Sequence, residues 1–171
     1  IYGQWLNGRA GRVPLGQMIE DIAAKSGLPN VDASACQTLV TGYLIPGLMA
    51  ARDALEPLFE LYQLDAVERS GVLIVTPQSG EPIAAVDYDD LVLDGENILT
   101  ITRAQETDLP KGLSLIYTDG LSDYQTATAE VDDPSAKGDR RGVLDTAIVL
   151  EAGEAEGRAS ALLAAGRTMR T

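Results

Sequence analysis

The chain has 171 residues, a formal net charge of −13 and no histidine, and these properties exclude several classes of function. Because affinity for duplex nucleic acid comes from Lys and Arg neutralising phosphates, the negative charge argues against a duplex partner, and equally against an anionic membrane surface. Without histidine there can be no Ser-His-Asp or Cys-His triad, no His-ligated zinc and no histidine general base within this chain, and a single cysteine excludes a thiolate zinc site. No apolar run approaches the roughly 20 residues of a membrane span, and no signal peptide is evident.

The first predicted helix follows a glycine-rich lead-in, residues 1–13. Pro14 suits the first position of a helix, and Gly27 is typical of the residue just beyond a helix end. Apolar side chains recur between them at the spacing of one helix face, namely Leu15, Met18, Ile19, Ile22 and Ala23.

A strand and a proline-containing helix are expected next. β-Branched and aromatic residues predict a strand over 38–45, with Gly42 marking a bulge or a close approach. A second helix is expected from about Leu48 to Tyr62. Because Pro57 removes a backbone hydrogen bond and clashes with the preceding turn, we expect a kink there or a helix that begins later than Leu48.

Two β-hairpins are predicted around the middle of the chain. The first joins strands at 64–68 and 72–76 across Arg69-Ser70-Gly71. The second spans Leu109–Val131: its first strand places alternate apolar side chains on one face, a turn covers 118–123 with Gly120 tolerating a positive φ, and a second strand begins at Tyr124. Since a hairpin cannot bury its own apolar face, we expect further strands and a helix to cover it.

The rest of the chain completes an α+β pattern. Residues 98–105 predict another strand, 132–142 a flexible charged loop, and 143–150 a last strand. A C-terminal helix is expected over 151–170, with acidic residues early and arginines late, which complements the helix dipole. Its predicted buried stripe is Ala155, Ala159, Leu162, Leu163, Gly166 and Met169.

These elements predict an α+β fold with mixed, mainly antiparallel sheets, two helices in the N-terminal half and a C-terminal helix packed on the sheets. We expect an N-terminal α+β half over residues 1–95 and a C-terminal hairpin sheet plus helix over 96–171. Because the chain starts at Ile1, a part of a longer, multidomain protein is expected.

No residue stands out as catalytic, cofactor-binding or metal-binding, and no cofactor is expected. The acidic residues between 87 and 96 offer oxygen ligands for Ca²⁺, but they do not match the EF-hand pattern, so a solvated loop is favoured and cation binding stays open. They are Asp87, Asp89, Asp90, Asp94 and Glu96.

Other polar residues have a structural interpretation beside the functional one. Asp119 and Asp123 are favoured as turn formers over a general acid and base. The arginines of 8–12 and Arg140-Arg141 are interpreted as exposed charges that could also contact a partner protein. Cys36 is predicted to be buried. Tyr43, Tyr62, Tyr117 and Tyr124 are predicted core or interface aromatics whose hydroxyls reach water or backbone.

Several local patterns follow one another along the chain in a distinctive order. They are Trp5-Leu6-Asn7-Gly8-Arg9 before Pro14-Leu15; Val40-Thr41-Gly42-Tyr43; Arg52-Asp53-Ala54-Leu55-Glu56-Pro57-Leu58; Glu68-Arg69-Ser70-Gly71-Val72-Leu73; Leu109-Pro110; Leu115-Ile116-Tyr117-Thr118-Asp119; Asp123-Tyr124-Gln125; and the Ala-rich C-terminal helix with Arg167. Their order resembles the phage tail protein domain found in the large tail protein of gene transfer agents, a family related to hub proteins of long-tailed phages.

The resemblance implies a structural protein of a virion tail tip or baseplate hub, from a gene transfer agent or prophage, that is assembled in the bacterial cytoplasm. It implies other tail or baseplate proteins as partners, a homo-oligomer, usually a trimer, and no enzymatic activity. Two alternatives stay open: an accessory module of a glycoside or peptidoglycan hydrolase, which needs two carboxylates in a cleft, and a carbohydrate-binding module, which needs exposed aromatics along a groove.

Overall fold

A computed structural model of the chain describes residues 11–78, 84–91 and 109–168, and this part is an α+β fold, as predicted. The described strands form sheets of two, three and four strands. The helices are α1 (Leu15–Lys25), α2 (Ala51–Tyr62) and α3 (Ala152–Thr168). The strands are β1 (Val13–Pro14), β2 (Val31–Asp32), β3 (Leu39–Val40), β4 (Gly42–Tyr43), β5 (Leu64–Arg69), β6 (Val72–Pro77), β7 (Gly112–Asp119), β8 (Gln125–Asp132) and β9 (Arg141–Leu150).

Helix α1 ends as its sequence predicts. Gly27 has φ +84°, and its amide donates to the carbonyl of Ala24, while the amide of Leu28 donates to the carbonyl of Ala23. This pair of bonds satisfies carbonyls that have no partner at a helix end. At the other end, a Cβ added to Gly16 would lie 2.1 Å from the carbonyl oxygen of Ala33, so the helix approaches this loop more closely than any other residue allows.

The strand predicted over 38–45 is in fact two short strands in different sheets. Strand β3 pairs with β1 in an antiparallel ladder, whereas β4 pairs with β9. The chain therefore leaves one sheet and enters another at Thr41, and Gly42 allows the approach because an added Cβ would meet Val149 at 3.2 Å.

Helix α2 begins at Ala51, later than Leu48, which is one of the two outcomes expected from Pro57. Proline has no N–H, so the carbonyl of Asp53 lacks its helical donor. The helix ends at Tyr62, and Gln63, which has φ 51°, is the single residue between it and β5.

The hairpin predicted across Arg69-Ser70-Gly71 is confirmed. Strands β5 and β6 pair in an antiparallel register from Leu64↔Pro77 to Arg69↔Val72. Ser70 and Gly71 have φ 53° and 79°, the pattern of a two-residue type I′ turn. Strand β2 joins the outer side of β6 in parallel.

The four-stranded sheet has the order β4-β9-β7-β8. Strands β7 and β8 form the second predicted hairpin and pair without interruption from Gly112↔Asp132 to Asp119↔Gln125. Strand β9 lies on the other side of β7 and runs parallel to it, with an irregularity between Ile116 and Thr118. The connection from β8 to β9 therefore crosses the beginning of β7.

Hydrogen bonds fix this crossing connection, which the sequence predicts to be flexible. The amide of Asp133 donates to the carbonyl of Lys111 (2.7 Å), and the amide of Lys111 donates to the carbonyl of Arg140 (2.7 Å). Both ends of the connection are thus bonded to the residue that precedes β7. Strand β9 begins at Arg141, two residues earlier than predicted.

Helix α3 covers one face of this sheet. The cross-strand pairs Leu115↔Ala129 and Tyr117↔Ala127 belong to the covered face, as the alternation of the hairpin predicts. Of the predicted stripe, Ala155, Ala159 and Leu163 are buried, whereas Leu162 and Gly166 are half-buried and Met169 lies outside the described residues. Two alanines at the contact let the helix axis approach the sheet closely.

One hydrophobic core joins the elements. It contains side chains from both halves of the chain, including Leu15, Ile19, Val40, Leu58, Leu61, Leu115, Ile148 and Leu150. The boundary proposed between residues 95 and 96 and the strand predicted over 98–105 lie outside the described residues, so both stay predictions.

A matched pair of valines in the β5–β6 hairpin tests this core. Val75 is 1% exposed and Val67 is 61% exposed. Val75→Ala is expected to lower the free energy of unfolding by about 2 kcal/mol, because it removes buried methyl groups and leaves a cavity. Val67→Ala is the control and is expected to change it by less than about 0.5 kcal/mol. Urea denaturation measures both, and equal losses would contradict this core.

Candidate functional site

The residues considered for chemistry are not gathered into a reactive centre in the described part of the chain. No group of three or more His, Cys, Asp or Glu side chains there is arranged to hold a metal ion. Tyr88–Asp90 forms one exposed 3-10 turn, and Asp94 and Glu96 lie outside the described residues. No helix in residues 11–78, 84–91 or 109–168 is long and apolar enough to cross a membrane.

Asp119 acts as a turn former. Its Oδ1 accepts a hydrogen bond from the Leu121 amide (2.9 Å), and its Oδ2 accepts one from the Ser122 hydroxyl (2.8 Å). The bond from the Leu121 amide, followed by that from Ser122, lowers the pKa of Asp119 from its usual value of 3.8. A carboxylate held in its ionised form by these two donors is suited to fixing a turn.

The end of the β7–β8 hairpin differs from its predicted form. Gly120 does not supply a positive φ; instead its amide donates to the carbonyl of Leu150 (3.1 Å), and an added Cβ would lie 3.0 Å from Val149. The positive φ angles belong to Asp123 (51°) and Tyr124 (57°). Tyr124 is therefore a turn residue and not the first residue of β8.

This turn holds an aromatic residue in a conformation that suits glycine. The Gln125 amide donates to the Ser122 carbonyl (3.0 Å) across Asp123 and Tyr124, the pattern of a type I′ turn, for which Asn-Gly is preferred. The left-handed region costs roughly 1–2 kcal/mol for a residue with a Cβ. Tyr124 is nevertheless 67% exposed and Leu121 is 78% exposed. We call Leu121–Tyr124 the hairpin tip.

A second feature is the free edge of β8. Among the described strands, none pairs with its outer side. Edge strands are normally protected by lysine, proline or a bulge, but residues 125–129 of β8 are uncharged and contain none of these. The edge strand β5, by contrast, carries Asp65, Glu68 and Arg69. Within the described part of the chain, the β8 edge is therefore open to pairing with another strand.

The charged residues at the far end of β8 are paired within the chain. Arg141, predicted as an exposed charge, donates to the carboxylate of Asp132 (2.6 Å) and lies 3.8 Å from that of Glu130. Arg12 of the lead-in pairs with Glu151 at the start of α3. The single charge of Arg141 offsets one of the two negative charges of Glu130 and Asp132 at this end of β8.

A third feature is an apolar cleft of about 340 Å³ between the C-terminal part of α3 and the beginnings of β7 and β9. Its lining includes Leu113, Leu144, Leu162 and Leu163, together with the charged side chain of Glu60. It lies at the end of the hairpin opposite to the tip, because Leu113 is at the start of β7.

The tyrosines have different environments. Tyr43 is half-buried, Tyr117 is buried in the core, and Tyr124 is exposed. Tyr62 is 5% exposed, and its hydroxyl makes no hydrogen bond to the described residues, unlike the prediction. Burial raises the pKa of this hydroxyl, and the guanidinium of Arg158 lies 4.4 Å from the ring centroid.

Cys36 is buried, as predicted. Its Sγ lies 3.6 Å from the carbonyl oxygen of Val75, and burial raises the pKa of the thiol. Since the thiolate is the reactive form, this environment makes Cys36 an unreactive side chain.

The strain in the hairpin tip predicts a stabilising substitution. The double variant Asp123→Asn/Tyr124→Gly is expected to raise the free energy of unfolding by about 1 kcal/mol, because Asn-Gly adopts the two left-handed conformations at lower cost. Urea denaturation measures the change. Ser70→Asn in the Ser70-Gly71 turn, where glycine already occupies one of the two left-handed positions, is the matched control, with an expected gain of a few tenths of a kcal/mol. A destabilised double variant would show that the Tyr124 side chain contributes to the fold.

The buried hydroxyl of Tyr62 predicts how substitutions of this residue change the free energy of unfolding. Tyr62→Phe is expected to leave the free energy of unfolding unchanged or to raise it by up to about 1 kcal/mol, because it removes a buried polar group that has no partner. Tyr62→Leu removes the ring beneath Arg158 as well and is expected to lower stability by about 1 kcal/mol or more. Thermal and urea unfolding measure both, and a marked loss in Tyr62→Phe would reveal a hydrogen bond to this hydroxyl.

Comparison with known proteins finds one sequence family and two solved structures to which this chain is similar. Residues 50–171 match a sequence family described as "Putative phage tail protein". A chain in the virion of a native gene transfer agent particle is similar over 99% of this chain, with 29% identity and a TM-score of 0.87. The tail protein from Neisseria meningitidis MC58 shares the fold, with a TM-score of 0.58 and 14% identity over 94% of this chain. No curated protein matches the chain significantly.

The match is partial with respect to the other proteins. This chain spans 39% of the gene transfer agent protein and 49% of the Neisseria protein. The family match covers well over half of the present chain, including α2, both hairpins and α3. The chain therefore belongs to this phage tail protein family.

Proposed function

We propose that the chain is a structural part of the tail tip or baseplate hub of a phage-like particle, a gene transfer agent or a prophage, and that it works by protein–protein assembly and not by catalysis. The observation that carries the proposal is the similarity to a chain of a gene transfer agent virion, which extends over 99% of the present chain. Its partners are other tail or baseplate proteins and further copies of itself, in a trimer.

The open edge of β8 supports assembly as the mode of action. An unprotected edge strand presents unpaired N–H and C=O groups, which a strand of another chain can satisfy. Residues 125–129 offer such an uncharged stretch, and Arg141 pairs with the acidic residues beyond it. This stretch of the edge can therefore extend the four-stranded sheet without bringing like charges together.

The opposite edge of the same sheet supports assembly of several copies into a ring. Strand β4 covers β9 only at Ile148 and Val149, so residues 141–146 of β9 have no described strand on their outer side. Among the strands that the structure describes, this sheet thus has a free edge at each side. Contacts between two different edges are heterologous, and such contacts close into rings when the rotation between subunits is an integral fraction of a turn.

Localisation in the particle tests the proposed function. An epitope tag on the full-length protein that contains this chain is expected to label one end of the tail in immunogold electron microscopy of purified particles. Label on the head or along the whole tail tube, or protein absent from the particles, would contradict a role at the tail tip.

Charge placed on the free edge tests assembly. Thr126→Lys/Thr128→Lys puts two lysines on the exposed face of β8 and is expected to reduce incorporation into particles at least tenfold, because edge lysines oppose strand pairing. Val67→Lys on the edge strand β5, also exposed, is the matched control and is expected to incorporate normally. Quantitative immunoblotting of purified particles measures both. Equal incorporation of the two variants would exclude β8 as a pairing edge.

A further inference from the structure

The two edges of the four-stranded sheet match each other in strand direction and in length. Strand β8 runs antiparallel to β7, and β9 runs parallel to it. When a second copy repeats the sheet in the same orientation, its β8 therefore lies antiparallel to the outer side of β9 in the first copy, and antiparallel pairing is the more stable form. Residues 141–146 of β9, which no described strand covers on this side, are as many as residues 125–130 of β8.

The hydrogen bonds of Lys111 show which backbone groups of each edge point outward. Its amide donates to the carbonyl of Arg140 (2.7 Å), and its carbonyl accepts from the amide of Asp133 (2.7 Å). The bonded groups of Arg140 and Asp133 therefore face β7. Because backbone direction alternates along a strand, odd-numbered residues of β9 and even-numbered residues of β8 turn their groups to the two outer edges. They include Val143 and Asp145 of β9 and Thr126 and Thr128 of β8.

The side-chain faces agree with these backbone directions. Ala129 of β8 and Leu144 of β9 both pair with Leu115 of β7, so all three lie on the face that α3 covers. Thr128 and Val143, each next to one of them, are exposed on the other face. Opposed residues of an antiparallel pair share both the side-chain face and the direction of their backbone groups. Thr128 and Val143 agree in both respects, so the two edges can form one continuous sheet.

One register uses the whole length of both edges. With Thr128 opposite Val143, Gln125 lies opposite Thr146. The next residue of β9, Ala147, accepts a hydrogen bond from the amide of Leu44 (3.1 Å), so the incoming strand begins where the pairing with β4 ends. A shift of two residues towards β4 would place the incoming strand on Ala147, which Leu44 already occupies.

The opposite shift is disfavoured by charge. It would place Glu130 opposite Asp139, and like charges that are directly opposed destabilise strand pairing. In the register with Thr128 opposite Val143, Glu130 lies opposite Arg141 instead. Arg141 already contacts Asp132 of its own chain, so this contact adds little attraction, but it avoids a repulsion. Strand direction, side-chain face and backbone direction therefore select the partner, and charge only excludes one register.

An exposed apolar loop follows β4 at the end of this edge. We call residues 44–48, Leu44-Ile45-Pro46-Gly47-Leu48, the apolar loop. Leu44 is 63% exposed and Leu48 is fully exposed. In the register described, the hairpin tip of the second copy, which precedes Gln125, lies beside Leu44. The exposed side chains of the tip and of the apolar loop can then bury apolar surface against each other, which is favourable.

We propose that residues 125–130 of β8 in one copy pair antiparallel with residues 141–146 of β9 in a second copy, and that the hairpin tip packs against the apolar loop of that second copy. The contact is heterologous, since every copy carries both surfaces. This inference rests on the proposed function as an assembly component, and it identifies the partner of the β8 edge and the register of the pairing.

Site-specific cross-linking tests the pairing. Thr128→Cys and Val143→Cys variants of the full-length protein, with different tags, are mixed as purified proteins and exposed to a mild oxidant; Cys36 is buried and stays unreactive. Opposed residues in such a pair have Cα atoms about 5.5 Å apart, which a disulfide spans, so a dimer carrying both tags is expected. Thr128→Cys with Val67→Cys is the matched control, because Val67 is also exposed, on the edge strand β5. Equal cross-linking in both mixtures, or none in the first, would overturn the proposal.

A second measurement tests the contact between the hairpin tip and the apolar loop. Leu48→Gln is expected to weaken self-association at least tenfold in analytical ultracentrifugation and to leave the urea midpoint unchanged, because the fully exposed Leu48 contributes little to the fold. Leu28→Gln is the matched control: Leu28 is also exposed but lies just after α1, outside the four-stranded sheet. Equal self-association of the two variants would overturn this contact.

Cross-linking in purified particles separates this inference from the proposed function. Particles assembled with Thr128→Cys and Val143→Cys copies are expected to contain the same dimer carrying both tags. A Thr128→Cys cross-link to a different tail protein would overturn pairing between copies while leaving the tail-tip role in place. Absence of the protein from particles would contradict the tail-tip role, and the experiment on purified protein would still decide the pairing.

Discussion

The described structure depends on the burial of one face of the four-stranded sheet beneath helix α3. The contact is close because the helix buries Ala155 and Ala159 completely and packs mainly against β7 and β8. A single residue, Glu151, separates β9 from α3, so the helix turns back across the sheet. This arrangement covers the apolar face of the hairpin, and within the described residues it leaves the end of the hairpin and the outer edge of β8 free for contact with other chains.

Elements that depend on local sequence were predictable. Helix α1 has its apolar period and its terminal glycine within 13 residues, and both hairpins have turn residues between strands that are adjacent in the sequence. The later start of α2 was one of the expected outcomes, although Pro57 still lies inside the helix, six residues after Ala51. In each case the interactions that decide the structure lie within a few residues of one another.

Elements that depend on distant partners were not predictable. Nothing in residues 141–150 indicates whether β9 joins the β7 side or the β8 side of the hairpin, and this choice decides which strand keeps a free edge. The division of residues 39–43 between two sheets likewise depends on β1 and β9, which are remote in sequence. The positive φ predicted for Gly120 occurs instead at Asp123 and Tyr124, and Tyr124 is a turn residue rather than the first residue of the strand. The reason is that Gly120 is held against Val149 and Leu150, so the chain reverses three residues later.

The parallel pairing of β7 with β9 has a consequence for the order in which the protein is made and folds. The β7–β8 hairpin is complete once residue 132 has left the ribosome. One side of β7, however, has no partner strand from β9 until residues 141–150 emerge. Parallel pairing and the crossing connection both require contacts between segments that are not neighbours, which form more slowly than hairpins. For that interval no described strand covers the outer side of either β7 or β8, and occupation of either edge by another nascent chain is a route to misassembly during synthesis on polysomes.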